Sequence, residues 1–389
     1  MPEPAPLTDA VTGAVGDERG PTAAALAVVR RGAGPPTVVT AGWTGREGPA
    51  PRPVEPGTRF DLASVSKIVT TLAVMRLRAA GALDLDAPVR SLLPVFAGGA
   101  KDAVTVRALL LHRAGLWEWW PLYAPAEDGD GVLGDPAAAV ARAAALPLRY
   151  SPDSGRHYSD LGFQLLGAIV TRVCGMDLRT AVADLVTGPL GLRATAYGPL
   201  TDPDVAVTSR GDAWERRMIA TGEPYPVPVR SVPAGRDHWL RGEAGDGNAH
   251  HAFAGAAGHA GIFAPAAETA RLGEVMFGGH PGWPPEVVAE FAAPGPDAEQ
   301  ALGWRRTEVT TPDGGTVTVL GHPGFTGTEL SVAPALGLSW ALLTNRLHPT
   351  STPVDVSAAR ARATRLVLTT CSTGPESGTT GGFCPDVGV

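Results

Sequence analysis

A chain of 389 residues with 44% hydrophobic content is long enough to bury one large core or two moderate ones, which places it among globular proteins. Its 32 basic residues against 39 acidic ones leave a net charge of −7, so there is no basic excess to favour nucleic acid or an anionic membrane as a partner. Three cysteines, Cys174, Cys371 and Cys384, are too few and too scattered for a disulfide framework or a zinc site; free thiols are expected, with a Cys371–Cys384 bridge as the alternative.

The chain opens without a basic stretch, apolar core and small-residue cleavage site, and no uncharged apolar run is long enough to span a bilayer. A cytoplasmic location is therefore expected. A first helix is predicted around Leu7 to Val15. Ala23 to Val29 and Pro36 to Gly42 read as a hairpin with a Gly/Pro-rich turn. After a polar loop, Thr58 to Leu62 is extended, and Ile68, Leu72, Met75 and Ala79 then recur at helical spacing up to Gly81, a residue suited to the left-handed cap.

Helical patterns follow at 86–93, 105–112, 136–145, 161–173 and 178–186. The stretch 201–240 reads as irregular and 242–262 as a Gly/Ala/His-rich loop. A helix over Pro265 to Met276 precedes four strands, Leu302–Val309, Thr316–Leu320, Glu329–Val332 and Leu338–Thr344, and a closing helix over Ala358 to Leu368. The expected fold class is α+β, an antiparallel sheet flanked by helices with an inserted all-helical domain. Residues 1–85 and 260–370 form the discontinuous sheet domain, 86–259 the mainly helical one and 371–389 a flexible tail, with a site at the seam.

Chemistry concentrates first at Ser64 and Lys67. The change from strand to helix puts Ser64 at a helix N-terminus and Lys67 one turn on, on the same face. The amine can reach the hydroxyl, and the first backbone amides of the helix can meet a developing oxyanion. The chain contains only two lysines, Lys67 and Lys101; every other basic residue is arginine. Lysine can be tuned into a base by burial or a neighbouring charge, whereas arginine is effectively never deprotonated.

Two further segments stand out. His157-Tyr158-Ser159-Asp160-Leu161-Gly162 enters a helix with an apolar stripe, and Gly321-His322-Pro323-Gly324-Phe325-Thr326-Gly327 follows a strand. Ser-x-x-Lys, Tyr-x-Asp and a basic-x-Gly strand, in this order and at these separations, resemble the penicillin-binding-protein-like serine hydrolase superfamily, and within it the class C β-lactamase-like branch of esterases, D-peptidases and acyltransferases. The segments Val104–Leu116, Gly188–Leu192, Gly255–Phe263 and Leu342–Arg346 support the resemblance, which covers residues 20–370.

The resemblance implies a covalent acyl-enzyme on Ser64. Lys67 would be its base, or the charge that lowers the pKa of Tyr158, and Tyr158 would shuttle a proton between Ser64 and the leaving group. The backbone amides of Ser64 and Phe325 would form the oxyanion hole. His322 stands where lysine is usual in β-lactamase-type relatives, and His322-Pro323-Gly324 lacks the fixed cation and the hydroxyl that would hold a substrate carboxylate. Asp160 replaces an asparagine and is expected to pair with Lys67, keeping it protonated.

Asp246, His250, His251 and His259 have no helical two-histidine spacing, and neither a metal nor any other cofactor is expected. Asp246 and Asn248 are read as cleft residues by resemblance to esterase-like relatives. Trp117, Trp119 and Trp120, with Tyr123, are either ordinary core or the wall of an acyl pocket. The expected function is acyl transfer from a small-molecule ester or activated amide to water. The alternative is a transacylase with an amine or alcohol acceptor; D-peptidase and β-lactamase activities rank lower because of His322-Pro323-Gly324. A catalytically idle binding protein is the reading from a different class.

Overall fold

In the computed structural model, residues 4–15, 20–125, 130–229, 235–348 and 353–372 are described. Among these residues, nine strands form two sheets. The strands are β1 (Ala23–Arg30), β2 (Thr37–Gly42), β3 (Phe60–Asp61), β4 (Ala196–Tyr197), β5 (Ile262–Ala264), β6 (Arg305–Thr310), β7 (Thr316–Pro323), β8 (Glu329–Ala333) and β9 (Leu338–Thr344). The larger sheet is antiparallel throughout, with order β2-β1-β9-β8-β7-β6. The smaller joins β3, β5 and β4, so the helical part of the chain also contributes one short strand, β4.

Alternation along the central strands explains the layers. In β1, Ala23, Ala25, Ala27 and Val29 enter one core, while Ala24, Leu26 and Val28 enter a second core on the opposite face. The second core is closed by Leu7, Ala10 and Val11 of the helix Pro4–Ala14 and by Ala363, Val367 and Leu368 of the helix Ser357–Ser372. The first packs against the helix Ser66–Ala79, which buries Ile68, Val69, Leu72 and Met75. β1 pairs with β9 from Ala24↔Thr344 to Arg30↔Leu338, so the two ends of the chain meet in mid-sheet.

Some boundaries differ from the sequence reading. β7 runs three residues past Leu320, because Pro323 occupies the last rung, where its missing N–H costs little. Leu302 to Trp304 lie outside β6, in a turn at Gly303 with φ +77°. The stretch read as irregular contains the helix Ala213–Thr221, and a helix Pro285–Ala292 adds to those expected. The helix over Ser357–Ser372 reaches beyond Leu368 and takes in Cys371, while the rest of the expected tail, with Cys384, lies outside the described residues. Cys174 is a free thiol. Among the described residues no single helix is long and apolar enough to cross a membrane.

Candidate active site

Ser64 sits in a 3₁₀ turn, Ala63–Val65, between β3 and the helix Ser66–Ala79. The turn is strained: Ala63 has φ +45°, a left-handed conformation that disfavours a side chain. Asp61 holds it. One carboxylate oxygen accepts the Ala63 N–H at 2.9 Å and the other accepts the Gly245 N–H at 2.7 Å. Burial outweighs these bonds and pushes the Asp61 carboxyl up to about 6.

Lys67 follows at the start of the helix and is fully buried. Its Nζ donates to Ser64 Oγ at 3.0 Å and to Asp160 Oδ1 at 2.6 Å, and lies 3.4 Å from the His259 carbonyl. Burial alone would lower its pKa; the charge of Asp160, with help from Tyr158, more than reverses this and pushes it up to about 12. Lys67 is therefore an ammonium at neutral pH. Of the two roles open to it, the resting structure favours the cation over the base.

Asp160 begins the helix Asp160–Cys174, whose cap also fixes the neighbouring loop. Ser159 Oγ accepts the Gly162 N–H at 3.1 Å and donates to the Trp117 carbonyl at 2.6 Å. Tyr158, just before the cap, stands beside Ser64 and Lys67, with the Lys67 Nζ 4.9 Å from its ring centroid. Burial raises its pKa, and the Lys67 charge, with the nearby Ser64 hydroxyl, pulls it back only in part. The expected net lowering of the phenol pKa is not found, because desolvation of the phenolate outweighs the cation.

Two imidazoles flank the phenol. The His322 ring centroid is 5.8 Å from that of Tyr158, and the His112 ring is 4.7 Å away on a backbone with φ +57°. His322 Nδ1 lies 2.8 Å from the Pro323 carbonyl, which can only accept, so Nδ1 carries the proton. His112 Nδ1 accepts the Ser159 N–H at 3.1 Å, so its proton is on Nε2. Burial and the nearby Lys67 charge hold both rings well below the usual histidine range. His322 is thus neutral, as expected, but it meets Tyr158 through ring contact instead of a hydrogen bond. A cation does stand close by: the Arg305 guanidinium, from β6, is 5.9 Å from the Tyr158 ring centroid.

The turn after β7 is stapled to the nucleophile segment. Thr326 Oγ1 donates to the Asp61 carbonyl at 2.6 Å and Thr328 Oγ1 to the Leu62 carbonyl at 2.9 Å. A Cβ on Gly324 would fall 2.0 Å from Thr328 Oγ1 and 2.6 Å from the Leu62 carbonyl, so this approach requires glycine. Among the described residues, neither Ser64 N–H nor Phe325 N–H has an acceptor within the protein.

A cavity of ≈ 180 Å³ opens on Ser64, with Tyr158, Asp160, Trp119, Asp246 and Phe325 in its wall. The other expected pocket residues lie elsewhere. Trp117 and Trp120 pack edge to face at 5.0 Å; Trp117 Nε1 bonds the Pro147 carbonyl at 2.9 Å, and Trp120 is buried in the core. Asn248 is wholly buried and its amide is spent on backbone, accepting from Leu122 N at 2.8 Å and donating to the Trp120 carbonyl at 2.9 Å. It shapes the loop beneath the cleft instead of lining it. Trp214, Glu215, Met218 and Tyr225 take the places in the wall that sequence reasoning missed. Their signal was present in Trp214, Glu215 and Met218, which share one helical face in a stretch whose prolines and arginines masked it.

His250 and His251 do not converge with His259: His251 Nε2 is 2.9 Å from Asp212, and His250 faces Glu243 at 3.9 Å. One atom each from Asp160, Asp246 and His259 do lie within 4.8 Å of one another, a spacing that would suit a metal ion. The Lys67 ammonium already contacts Asp160 and the His259 carbonyl there, and supplies the positive charge.

A family model described as Beta-lactamase matches residues 8–365. The chain is 32% identical over 322 residues to an N-acetylmuramyl-L-alanine amidase of Bacillus subtilis (strain 168), covering 78% of this chain and 71% of the relative. It is 33% identical over 332 residues to Esterase EstB of Burkholderia gladioli, covering 77% and 80%. A class C beta-lactamase from Rhodobacter sphaeroides has a similar structure, with TM-score 0.63 and 22% identity over 94% of this chain and 98% of that one.

Proposed function

The chain belongs to the beta-lactamase family and is a serine hydrolase of that family, and from this premise we propose that it forms an acyl-enzyme on Ser64 and hydrolyses a small-molecule ester or activated amide. The observation that carries this reading is the Lys67 ammonium, 3.0 Å from Ser64 Oγ, 2.6 Å from Asp160 and 4.9 Å from the centroid of the Tyr158 ring, which lines the same cavity.

In acylation, Ser64 Oγ attacks the acyl carbon and passes its proton to Tyr158, while the Tyr158 proton moves to the departing oxygen or nitrogen. The phenol is neutral before and after, which suits a group whose burial disfavours the phenolate. Lys67 stays protonated and stabilises the negative charge that develops along this path. The carbonyl oxygen becomes an oxyanion facing the Ser64 and Phe325 N–H groups. Water then attacks the acyl-enzyme by the reverse relay, giving its proton to Tyr158 as Tyr158 returns one to Ser64.

The reading in which an amine or alcohol takes the acyl group is favoured by the apolar part of the wall, Trp119, Met218, Phe325 and Leu347, which can shelter an organic acceptor and disfavour water. Added amines distinguish the two, since a transacylase releases amide faster than acid. The acyl-enzyme itself is tested by intact mass after incubation with an activated ester. A single acyl adduct that disappears in Ser64→Ala supports the reading; turnover that survives Ser64→Ala removes it.

A further inference from the structure

Four acidic residues, Asp160, Asp212, Glu215 and Asp246, line the cavity at Ser64, and among the described residues no lysine or arginine does. Lys67 answers Asp160 and Arg236 answers Asp212. Glu215 is held by the Tyr123 hydroxyl and by the Gly247 N–H at 2.7 Å, which are neutral donors. Asp246 uses one oxygen, Oδ1, for both the Ala249 N–H at 2.7 Å and the His259 ring at 3.0 Å. Its second oxygen, Oδ2, has no partner among the described residues, although the side chain is only 19% exposed. Burial, with the charge of Asp246 added to it, pushes Glu215 up to about 8, so Glu215 is a neutral acid at pH 7 and leaves the negative charge to Asp246.

The wall also carries the aromatic rings of Trp119, Trp214, Tyr225 and Phe325. Two of these rings already carry a cation, with the Arg217 guanidinium 5.7 Å from the Trp214 centroid and that of Arg346 5.1 Å from Phe325. Trp119 and Tyr225 have no such neighbour among the described residues. Ring faces and an unpaired carboxylate oxygen in the wall of one cavity form the environment that selects an alkylammonium over an uncharged group of the same shape.

We infer that this wall is the subsite for an ammonium group on the substrate, with Asp246 taking the charge and the free faces of Trp119 and Tyr225 enclosing the carbons beside it. The inference rests on the acyl-enzyme reading above and narrows its substrate class to esters or amides that carry an alkylammonium, in the acyl part or in the leaving group.

Two matched pairs test it: acetylthiocholine against its uncharged 3,3-dimethylbutyl isostere, and p-nitrophenyl 6-aminohexanoate against p-nitrophenyl heptanoate. After division by each ester's hydroxide rate, kcat/KM should favour the charged member of at least one pair by about tenfold. The preference should shrink in Asp246→Asn and between about 0.02 and 0.5 M salt. Because Asp246 also holds His259, Tyr225→Leu supplies a second variant in which the same ratio should fall. A wild-type ratio of one or less in both pairs overturns the inference. So does turnover that rises with added Zn²⁺ or Mn²⁺ and loses that rise in Asp246→Asn, because the wall would then belong to a metal. Turnover of the uncharged esters without charge preference overturns this inference alone, whereas absence of a Ser64 adduct with all four esters overturns the acyl-enzyme reading.

Discussion

Lys67 Nζ and Asp160 Oδ1, 93 positions apart in the chain, meet at 2.6 Å, and this contact sets the charge state of the whole site. Lys67 has its folded pKa raised, so the stability gained from the pairing is fully present below the ordinary value of 10.5 and is lost only as pH rises through about 12. Asp160→Asn removes the raising cause and leaves burial, which lowers the pKa. The alkaline loss of activity should move from near 12 to about 8–10, and acylation at neutral pH should slow by roughly 10²-fold. Burst kinetics across that range measure both. Faster acylation in Asp160→Asn would mean that the carboxylate restrains the reaction instead of supporting it.

Gly324→Ala tests the oxyanion hole without touching a reacting side chain. The added methyl meets Thr328 Oγ1 and the Leu62 carbonyl, so the Phe325 N–H must retreat from Ser64. Loss of one donor of this kind costs about 10²–10³-fold in kcat. Thr326→Val, which deletes the 2.6 Å bond to the Asp61 carbonyl and a 3.5 Å contact with Thr328 Oγ1, should lower kcat by about tenfold with KM little changed. An unaltered kcat in both variants would place the oxyanion elsewhere.

Acid stability should be governed by histidines that the fold keeps neutral. His112 and His322 are held well below 6.5, and burial pushes His250 and His348 down to about 4. Below pH 6.5 the unfolded chain binds protons that the native one refuses, so stability falls as pH drops, by up to about 1.4 kcal/mol per pH unit for each such group. Three raised carboxyls work in the opposite direction, Asp61 at about 6, Glu215 at about 8 and Glu329 above its ordinary 4.5, as three groups against four. Tm should therefore decline from pH 7 to pH 5, and His348→Gln should flatten the slope. A Tm that rises on acidification over this range contradicts the neutral histidines.

The parts legible in the sequence were those set by local spacing and strand chemistry. Ser64 and Lys67 share a helix face because they are three residues apart, and β1 declared itself as an apolar, partly β-branched run. What stayed hidden depends on contacts across the chain. His112 earns its place only by meeting Tyr158 over a left-handed backbone, and Arg305 brings a cation to the site from a neighbouring strand, although His322-Pro323-Gly324 carries none. Asn248 looked like a cleft residue until its amide was seen to be spent on Leu122 and Trp120 backbone. The helix Ala213–Thr221 was concealed by its flanks, and with it went Trp214, Glu215 and Met218 of the pocket wall.

That difference separates two adjacent tryptophans. Both are buried, but Trp119 lines the cavity, while Trp120 packs against Trp117 and the core with its Nε1 unpaired. Trp119→Leu should raise KM several-fold and leave kcat nearly intact, because the ring supplies contact surface to bound substrate and no proton or charge to the reaction. Trp120→Leu removes buried ring volume where the surroundings relax only in part, at a cost of about 2–4 kcal/mol, with KM close to wild type. Paired steady-state kinetics and thermal melts separate the two outcomes. Were KM to rise in Trp120→Leu and not in Trp119→Leu, the substrate would have to lie on the far side of the loop, away from Met218 and Tyr225.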